Sequence, residues 1–551
     1  MKILVVIPAR AGSKRIPRKN VRLLCGKPLI LYSVENAWRL SKEYDTDVVV
    51  STDDDELSRI VEKRGMEVVR RGEELSSDKV TLDPVIFDAM MKMEKKHNIR
   101  YDVVITMQAT SPTLKPDTLT GAVDYFLSHS YDTLISVVNR PHLSWTERDG
   151  VIVKNYDKRL NSQDLPPNYL ETGGFLITRR ECVMEDTRIG REISVFEIPA
   201  DESVDIDTEE DWVICESILK RKRILFRTVG HNKIGMGHVY RCLTIAYKLM
   251  GYDLMFVLDR ESDMGIKKIE ESFFPMRVVG SDEEYEEVMK EFAPDIIVND
   301  ILDTTEALVL LERKYAKRIV NFEDVGPGAR LADAVINALY ENNTKKMNNV
   351  YEGIRYFCIR DEFLEEEPKK FSDKVTNVMI IFGGADPANL TGRLYDICKV
   401  LHEKHKELEF HFITGFAYEH KDEVVTDEAC NIFVHHDVKR VSDYMSKADL
   451  AVTSQGRTIY ELASMGVPAI VMAQNEREAE HVFAGIKNGF INLGLGSGTD
   501  AITIIQTMKW LIETPNVRKE MRSLQLAKEF EKGQQRVIQL ILDESGGGSN
   551  A

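Results

Sequence analysis

Cysteine is sparse in this sequence: seven residues in 551, with no CxxC pair and no metal-ligand spacing. That excludes a disulfide scaffold and a zinc-ribbon site, and reads as reduced thiols in a cytoplasmic protein. No apolar run approaches the roughly 20 residues that span a bilayer. The opening KILVVI is too short for a signal peptide and lacks its flanks, so no membrane role is expected. Cations are outnumbered, 73 Lys and Arg against 90 Asp and Glu, for a net charge of -17. This excludes broad binding to nucleic acid or to an anionic membrane, so any anion site is local. There is no short-period repeat, which excludes a solenoid.

What is present is an ordinary globular composition, 43% hydrophobic and 30% charged, long enough for about three or four compact units. Strand-like apolar runs (ILVVI, VVVST, VVITM, LISVV, then ILFRTVG, IIVND, VMIIFGG, FHFITG, LAVTS, AIVMA) alternate with charged helical patterns such as DDELSRIVEKRG. That alternation predicts α/β units with parallel sheets, whose ligands bind at the carboxyl ends of strands. A break falls near CESILKRKRILFRTVG and a second at RDEFLEEEPKKFSDK. The expected layout is 1–223, 224–368 and 369–543, with a glycine- and serine-rich tail at 544–551 that is given no function.

The opening VVIPARAGSKRIPRKN places Arg10, Lys14, Arg15, Arg18 and Lys19 in one loop directly after the first strand. A glycine lets backbone amides approach an anion, and arginine or lysine neutralises it. The loop is neither GxxxxGK[ST] nor GxGxxG, so it is not a P-loop or a dinucleotide fingerprint. SVDIDTEEDW sets Asp205 and Asp207 two residues apart, on one side of an extended segment, a pair suited to a hard cation. Asp207 or Thr208 could alternatively cap the following helix, and Asp53 and Asp54 could either serve the site or cap the helix at DDELSRIVEKRG, with capping the expected role.

Residues 1–223 resemble the acylneuraminate cytidylyltransferases, which make CMP-sialic acids and related CMP-nonulosonates. The likeness runs through IPARAGSKRIPRKN, GKPLILYSVENA, VVVSTDDDELSRIVEKRGMEV, QATSP, RLNSQDLPPNY and SVDIDTEEDW. It implies a Rossmann-like nucleotidyltransferase domain with CTP as substrate. Arg10 and Lys19 would be catalytic, Gly12, Ser13, Lys14 and Asn20 would contact the nucleotide, and Asp205 and Asp207 would bind Mg2+. Gln108, Arg159, Gln163 and Asp164 would meet the nonulosonic acid. Ser162 stands where many relatives carry a second arginine, and Thr172-Gly173-Gly174 replaces an asparagine-glycine. The segment from Tyr131 to Asn168 corresponds to the family's dimerising extension, so a homodimer through this domain is expected.

The second half carries VGHNKIGMGHVYRCLTIAYKL, FEDVGPGARLADAVINALY, FGGADPANLT and DLAVTSQGRTIYELASMGVPAIVMA. These resemble the UDP-sugar hydrolases of the pseudaminic acid pathway, relatives of the MurG-like GT-B glycosyltransferases, and imply a GT-B pair of Rossmann-like halves. His238 would be the general base or would position the water, and Asp300 or Asp324 would either orient it or simply cap a helix. Gly235, Gly237, Gly383, Gly384, Ser454, Gly456 and Glu461 would line the nucleotide site, with Asp386 and Pro387 opening a helix there. Asn475 would meet the sugar, beside Gln474 and His481. The implied whole is a bifunctional nonulosonate enzyme: CMP-nonulosonate synthesis, and hydrolysis of a UDP-linked diacetamido-trideoxy sugar. The alternatives for the second half are a GT-B glycosyltransferase or a non-catalytic UDP-sugar-binding module. For the first domain, the competing acid is the eight-carbon ketodeoxyoctonate.

Overall fold

The computed structural model describes residues 1–12, 15–77, 79–231, 234–340, 347–415 and 417–543. Ser13, Lys14 and the 544–551 tail lie outside them. The chain divides into two compact units, Met1–Arg221 and Lys222–Ala551.

In the first unit, seven strands run in the order Ile193–Glu197, Thr133–Asn139, Tyr169–Arg179, Val103–Thr106, Ile3–Pro8, Thr46–Thr52 and Glu67–Arg70. All neighbours are parallel except those of Tyr169–Arg179, which is antiparallel to both. The apolar run at Ile3–Ile7 explains the layering. Ile3, Val5 and Ile7 face a core with Leu31, Val34, Leu119 and Val123, while Leu4 and Val6 face Ile86 and Met90 on the other side. A period of two buried on both faces makes this strand central. Each such side chain contributes roughly 1.5–3 kcal/mol on burial.

The second unit holds two all-parallel sheets. The first runs Met276–Val279, Asp253–Asp259, Arg223–Thr228, Ile296–Asp300, Arg318–Phe322, Ala334–Asn337, Val350–Glu352. The second runs Ile432–His436, Glu409–Thr414, Asn377–Ile381, Leu450–Ser454, Ala469–Ala473, Phe490–Leu495. Two Rossmann-like halves result, as the α/β alternation predicts. The final helix, Gly533–Leu542, returns to the first half: Val537, Leu540 and Ile541 share a core with Ile224 and Phe226. Arg318 Nη2 and Lys222 Nζ donate to the carbonyls of Leu540 (2.7 Å) and Leu542 (2.9 Å) and tie down its carboxyl end. Among the described residues, no helix is long and apolar enough to cross a membrane. All seven cysteines are free thiols.

Candidate functional sites

In the first unit, the loops following strands Ile3–Pro8 and Val103–Thr106 surround a cavity of about 510 Å³. Arg10, Arg15, Lys19, Asn20, Gln108 and Asp207 line it, joined by Arg71. The basic loop is pinned by its backbone. The Ala11 amide donates to Asp53 Oδ1 (2.8 Å), and Asn20 Nδ2 donates to the Arg10 carbonyl (3.1 Å). Arg18 turns the chain at φ 56° before the short helix Lys19–Val21. Lys19 is mostly covered; its ammonium donates to the Ile206 carbonyl (2.6 Å) and lies 3.5 Å from Asp207. Arg15 reaches the other oxygen of Asp207 at 3.6 Å.

The capping alternatives are resolved. Thr208 caps helix Glu209–Leu219 in a reciprocal box with Asp211, which leaves the Asp207 carboxylate turned to the lysine and arginine. Asp54 caps helix Asp55–Glu62, while Asp53 holds the basic loop instead. Ile206, between the two aspartates, is buried, and its amide donates to the Thr110 carbonyl (2.9 Å). Asp205 points inward. Burial pushes its carboxyl above the usual range, and the charge of Asp207 adds to this. Its Oδ1 is buried with no hydrogen-bond partner among the described residues. An orphaned carboxylate oxygen two residues from a solvated carboxylate suits a hard divalent cation that takes its other ligands from phosphate. No group of three or more potential metal-binding side chains occurs among the described residues.

Arg71 escaped the sequence reading. Its guanidinium folds back onto Ser51, donating to the carbonyl through Nε (3.1 Å) and Nη2 (2.7 Å). Burial, with the charge of Arg10 adding and Asp53 opposing, pushes its pKa down to about 10. Only its place at the carboxyl end of Glu67–Arg70 could have signalled it. Arg159, Gln163 and Asp164 are exposed, around the short helix Ser162–Asp164, and none of them lines the cavity. A Cβ on Gly12 would meet nothing, whereas one on Gly173 would stand 2.6 Å from Ser111 Oγ and 3.1 Å from Asp205 Oδ1. That glycine is what lets the strand pass so close to the aspartate.

In the second unit the candidate residues again sit at strand carboxyl ends. His238, in the first turn of helix Gly237–Lys248, places Nδ1 2.6 Å from Asp300 Oδ1. Arg241, one turn on, donates to both Asp300 oxygens (2.7 and 2.5 Å) and to Glu323 Oε1 (2.8 Å). Asp300 is fully buried. Burial alone would raise its pKa, but the charges of Arg241 and His238 hold it well below the usual range. Glu323, in the left-handed region at φ 49°, goes the other way: burial raises it against the pull of Arg241 and Arg457. Asp300 is thus the partner of His238. Asp324 instead accepts from Thr304 Oγ1 (2.6 Å) and Asn321 Nδ2 (2.7 Å).

Across the cleft, Glu461 accepts from Arg360 Nε (2.9 Å). Gly456 lies beside Ser454 and beside Glu478, whose carboxyl burial pushes up to about 7. Asn475 spends its Oδ1 capping helix Glu476–Ala479, and His481 Nδ1 meets the Gln455 carbonyl (2.8 Å). Gly235 and Gly383 are left-handed (φ 84° and 80°), and Gly384 packs on Gly415. Asp386 and Pro387 do not open the next helix. It begins at Leu390 with Asn389 as cap, and Asp386 accepts from the Leu390 and Thr391 amides.

A protein-family model described as Cytidylyltransferase matches residues 4–204. Pseudaminic acid cytidylyltransferase of Campylobacter jejuni is 34% identical over 230 residues, 40% of this chain and 97% of that relative. N-acylneuraminate cytidylyltransferase A of Danio rerio is 32% identical over 226 residues, 40% of this chain and 51% of the relative. An uncharacterized protein of Methanocaldococcus jannaschii is 28% identical over 282 residues, 47% of this chain and 57% of the relative. The chain thus spans about half the length of the first curated relatives it matches. Among solved structures, Acinetobacter baumannii MurG aligns with 59% of this chain and 99% of its own, at 17% identity and a TM-score of 0.43. CMP:2-keto-3-deoxy-manno-octonic acid synthetase complexed with CTP aligns with 40% of this chain and 98% of its own, at 18% identity and a TM-score of 0.31.

Proposed function

The amino-terminal unit of this chain belongs to the cytidylyltransferase family, and from that premise we propose that it makes a CMP-nonulosonate from CTP and a nonulosonic acid of the pseudaminic or sialic type. The observation that carries this is the convergence of Arg10, Arg15, Lys19, Asn20, Gln108 and Asp207 on one cavity. The acid's anomeric hydroxyl oxygen attacks the α-phosphorus of CTP, and its proton is released to water. The bond to the bridging oxygen breaks, and its electron pair leaves with pyrophosphate. Such a transfer needs positioning and charge neutralisation more than covalent help. Lys19 and Arg10 would meet the triphosphate charge, and Gln108, opposite the basic loop, would contact the acid. Asp205 and Asp207 would hold Mg2+, which when bound neutralises phosphate charge and orients the leaving group. The test is pyrophosphate release from CTP with pseudaminic, legionaminic, N-acetylneuraminic or ketodeoxyoctonic acid supplied separately. Release with none of the first three sinks the reading.

For the second unit we propose hydrolysis of a UDP-linked diacetamido-trideoxy sugar. With Nδ1–H directed at the Asp300 carboxylate, His238 keeps Nε2 as a proton acceptor. A water oxygen attacks the anomeric carbon, its proton passes to Nε2, and the electron pair of the breaking carbon–oxygen bond leaves with UDP. UDP release in water that is lost in His238→Ala supports this. Release only when a sugar acceptor is added would make the unit a glycosyltransferase, and binding without release a non-catalytic module. The setting proposed is the cytoplasm, with the chain paired as a homodimer through the first unit.

A further inference from the structure

Glu323 takes no part in the steps above, yet the fold holds it under strain. It follows strand Arg318–Phe322 and sits in the left-handed region at φ 49°, which a residue other than glycine adopts at a cost. Such a conformation persists only where the surroundings over-determine it, and here they do. The Glu323 amide donates to the Ile336 carbonyl (3.1 Å), and its own carbonyl accepts from Arg477 Nη2 (3.2 Å). The next residue, Asp324, is clamped by the Thr304 amide and hydroxyl, the Asn321 side chain and the Gly326 amide. The strained turn aims a buried carboxylate at Arg241: Oε1 accepts from Nη1 (2.8 Å), and Oε2 accepts from the Leu339 amide (3.4 Å).

Arg241 in turn spends Nε and Nη2 on the two oxygens of Asp300, and Asp300 Oδ1 meets His238 Nδ1 (2.6 Å). Glu323 thus reaches the imidazole through one guanidinium and one carboxylate. The charges also match in number. Arg241, and Arg457 from the second half, act on both Asp300 and Glu323, so these four groups and His238 are neutral together only while the imidazole carries no charge. The Cys242 thiol faces the same cluster, 3.6 Å from Asp300 Oδ2. Beyond Glu323 stand Tyr340 and Arg477, and the charge of Arg477 is met by Asp303. An unbalanced charge in so dry a cluster changes the proton affinity of its neighbours.

We propose that Glu323 is a positioning residue for His238: through Arg241 it fixes the Asp300 carboxylate, and by balancing the second guanidinium it sets the pH at which the imidazole accepts a proton. The inference rests on reading His238 as the proton acceptor of the second unit. The test follows the His238 ring signal by NMR in the full chain labelled at histidine, with the signal identified by its loss in His238→Ala. Beside it runs the pH profile of kcat/KM for UDP release from a UDP-linked diacetamido-trideoxy sugar, which reports groups of the free enzyme. Glu323→Gln keeps the shape and removes a negative charge, which disfavours the imidazolium. The ring titration and the acid limb of the profile should both move down by roughly one pH unit. Glu323→Asp restores the charge and should recover most of that shift. Arg457→Met removes a positive charge and should move the ring titration up, and it decides alone if Glu323→Gln does not fold. A slower Glu323→Gln enzyme whose His238 titrates where it did before would make Glu323 a mere prop and overturn the inference. Shifts of the same sign in Glu323→Gln and Arg457→Met, or no shift in Arg457→Met, overturn it as well. Opposite shifts in a chain that releases no UDP uphold the link between Glu323 and His238, and only the hydrolase reading fails.

Discussion

The two units concentrate cations in opposite ways. In the first, Arg15 and Asp207 are largely in water, 73% and 60% exposed as side chains, and the charges crowd one short loop. In the second, Arg241 and Asp300 are 3% and 0% exposed, and Arg241's partners, Asp300 and Glu323, lie 59 and 82 residues away in the chain. A solvated cluster attracts a large polyanion at little cost to the fold. A buried network orients one catalytic group, and the fold depends on every member.

The largest effect that would test this contrast is Asp300→Ala. Removing one partner of a buried network leaves Arg241 with Glu323 alone and His238 without its carboxylate, and should cost about 3–5 kcal/mol in the second unit. Pyrophosphate release by the first unit should persist. Loss of both activities together would mean that the units do not stand apart. Next, Lys19→Ala should lower CTP turnover by about 2–4 kcal/mol of transition-state stabilisation. Full turnover in that variant would remove the lysine from the site.

A third effect is pH-dependent. Glu312 is buried, bonded to Tyr285 and Asn299, and burial raises its carboxyl from 4.5 to about 7. The folded state therefore binds this proton more tightly than the unfolded one. Its contribution is full below pH 4.5 and is lost as pH rises toward 7, by about 3 kcal/mol at most. Denaturant unfolding of the second unit should show that decline, and Glu312→Gln should flatten it. Asp300, shifted down, works in the opposite sense and loses its stabilisation only on acidification below the usual carboxylate range. The smallest effect is that of salt. As the screening length falls from about 10 Å at 0.1 M to about 3 Å at 1 M, the apparent KM for CTP should rise several-fold, and UDP affinity should change less. Equal salt slopes would erase the distinction.

The same contrast explains what the sequence discloses. Continuous apolar runs announced the strands, and the basic loop and the DxD segment stood out because their residues are neighbours in the chain. Arg71 did not, since its position depends on a carbonyl 20 residues upstream. Glu323 was equally hidden: nothing around it marks a left-handed, buried acid waiting for Arg241. Asp300 and Asp324 both end strand-like runs, and only the packed side chains distinguish the histidine's partner from a loop brace. The return of helix Gly533–Leu542 to the first half is a tertiary fact that no local pattern encodes.

A crystal structure of the full chain with a non-hydrolysable CTP analogue and Mg2+ tests the central claim most directly. The account predicts phosphate oxygens within hydrogen-bonding reach of Lys19 and Arg10, and the metal between Asp205 and Asp207. A nucleotide lodged elsewhere, with that cavity empty, would contradict it.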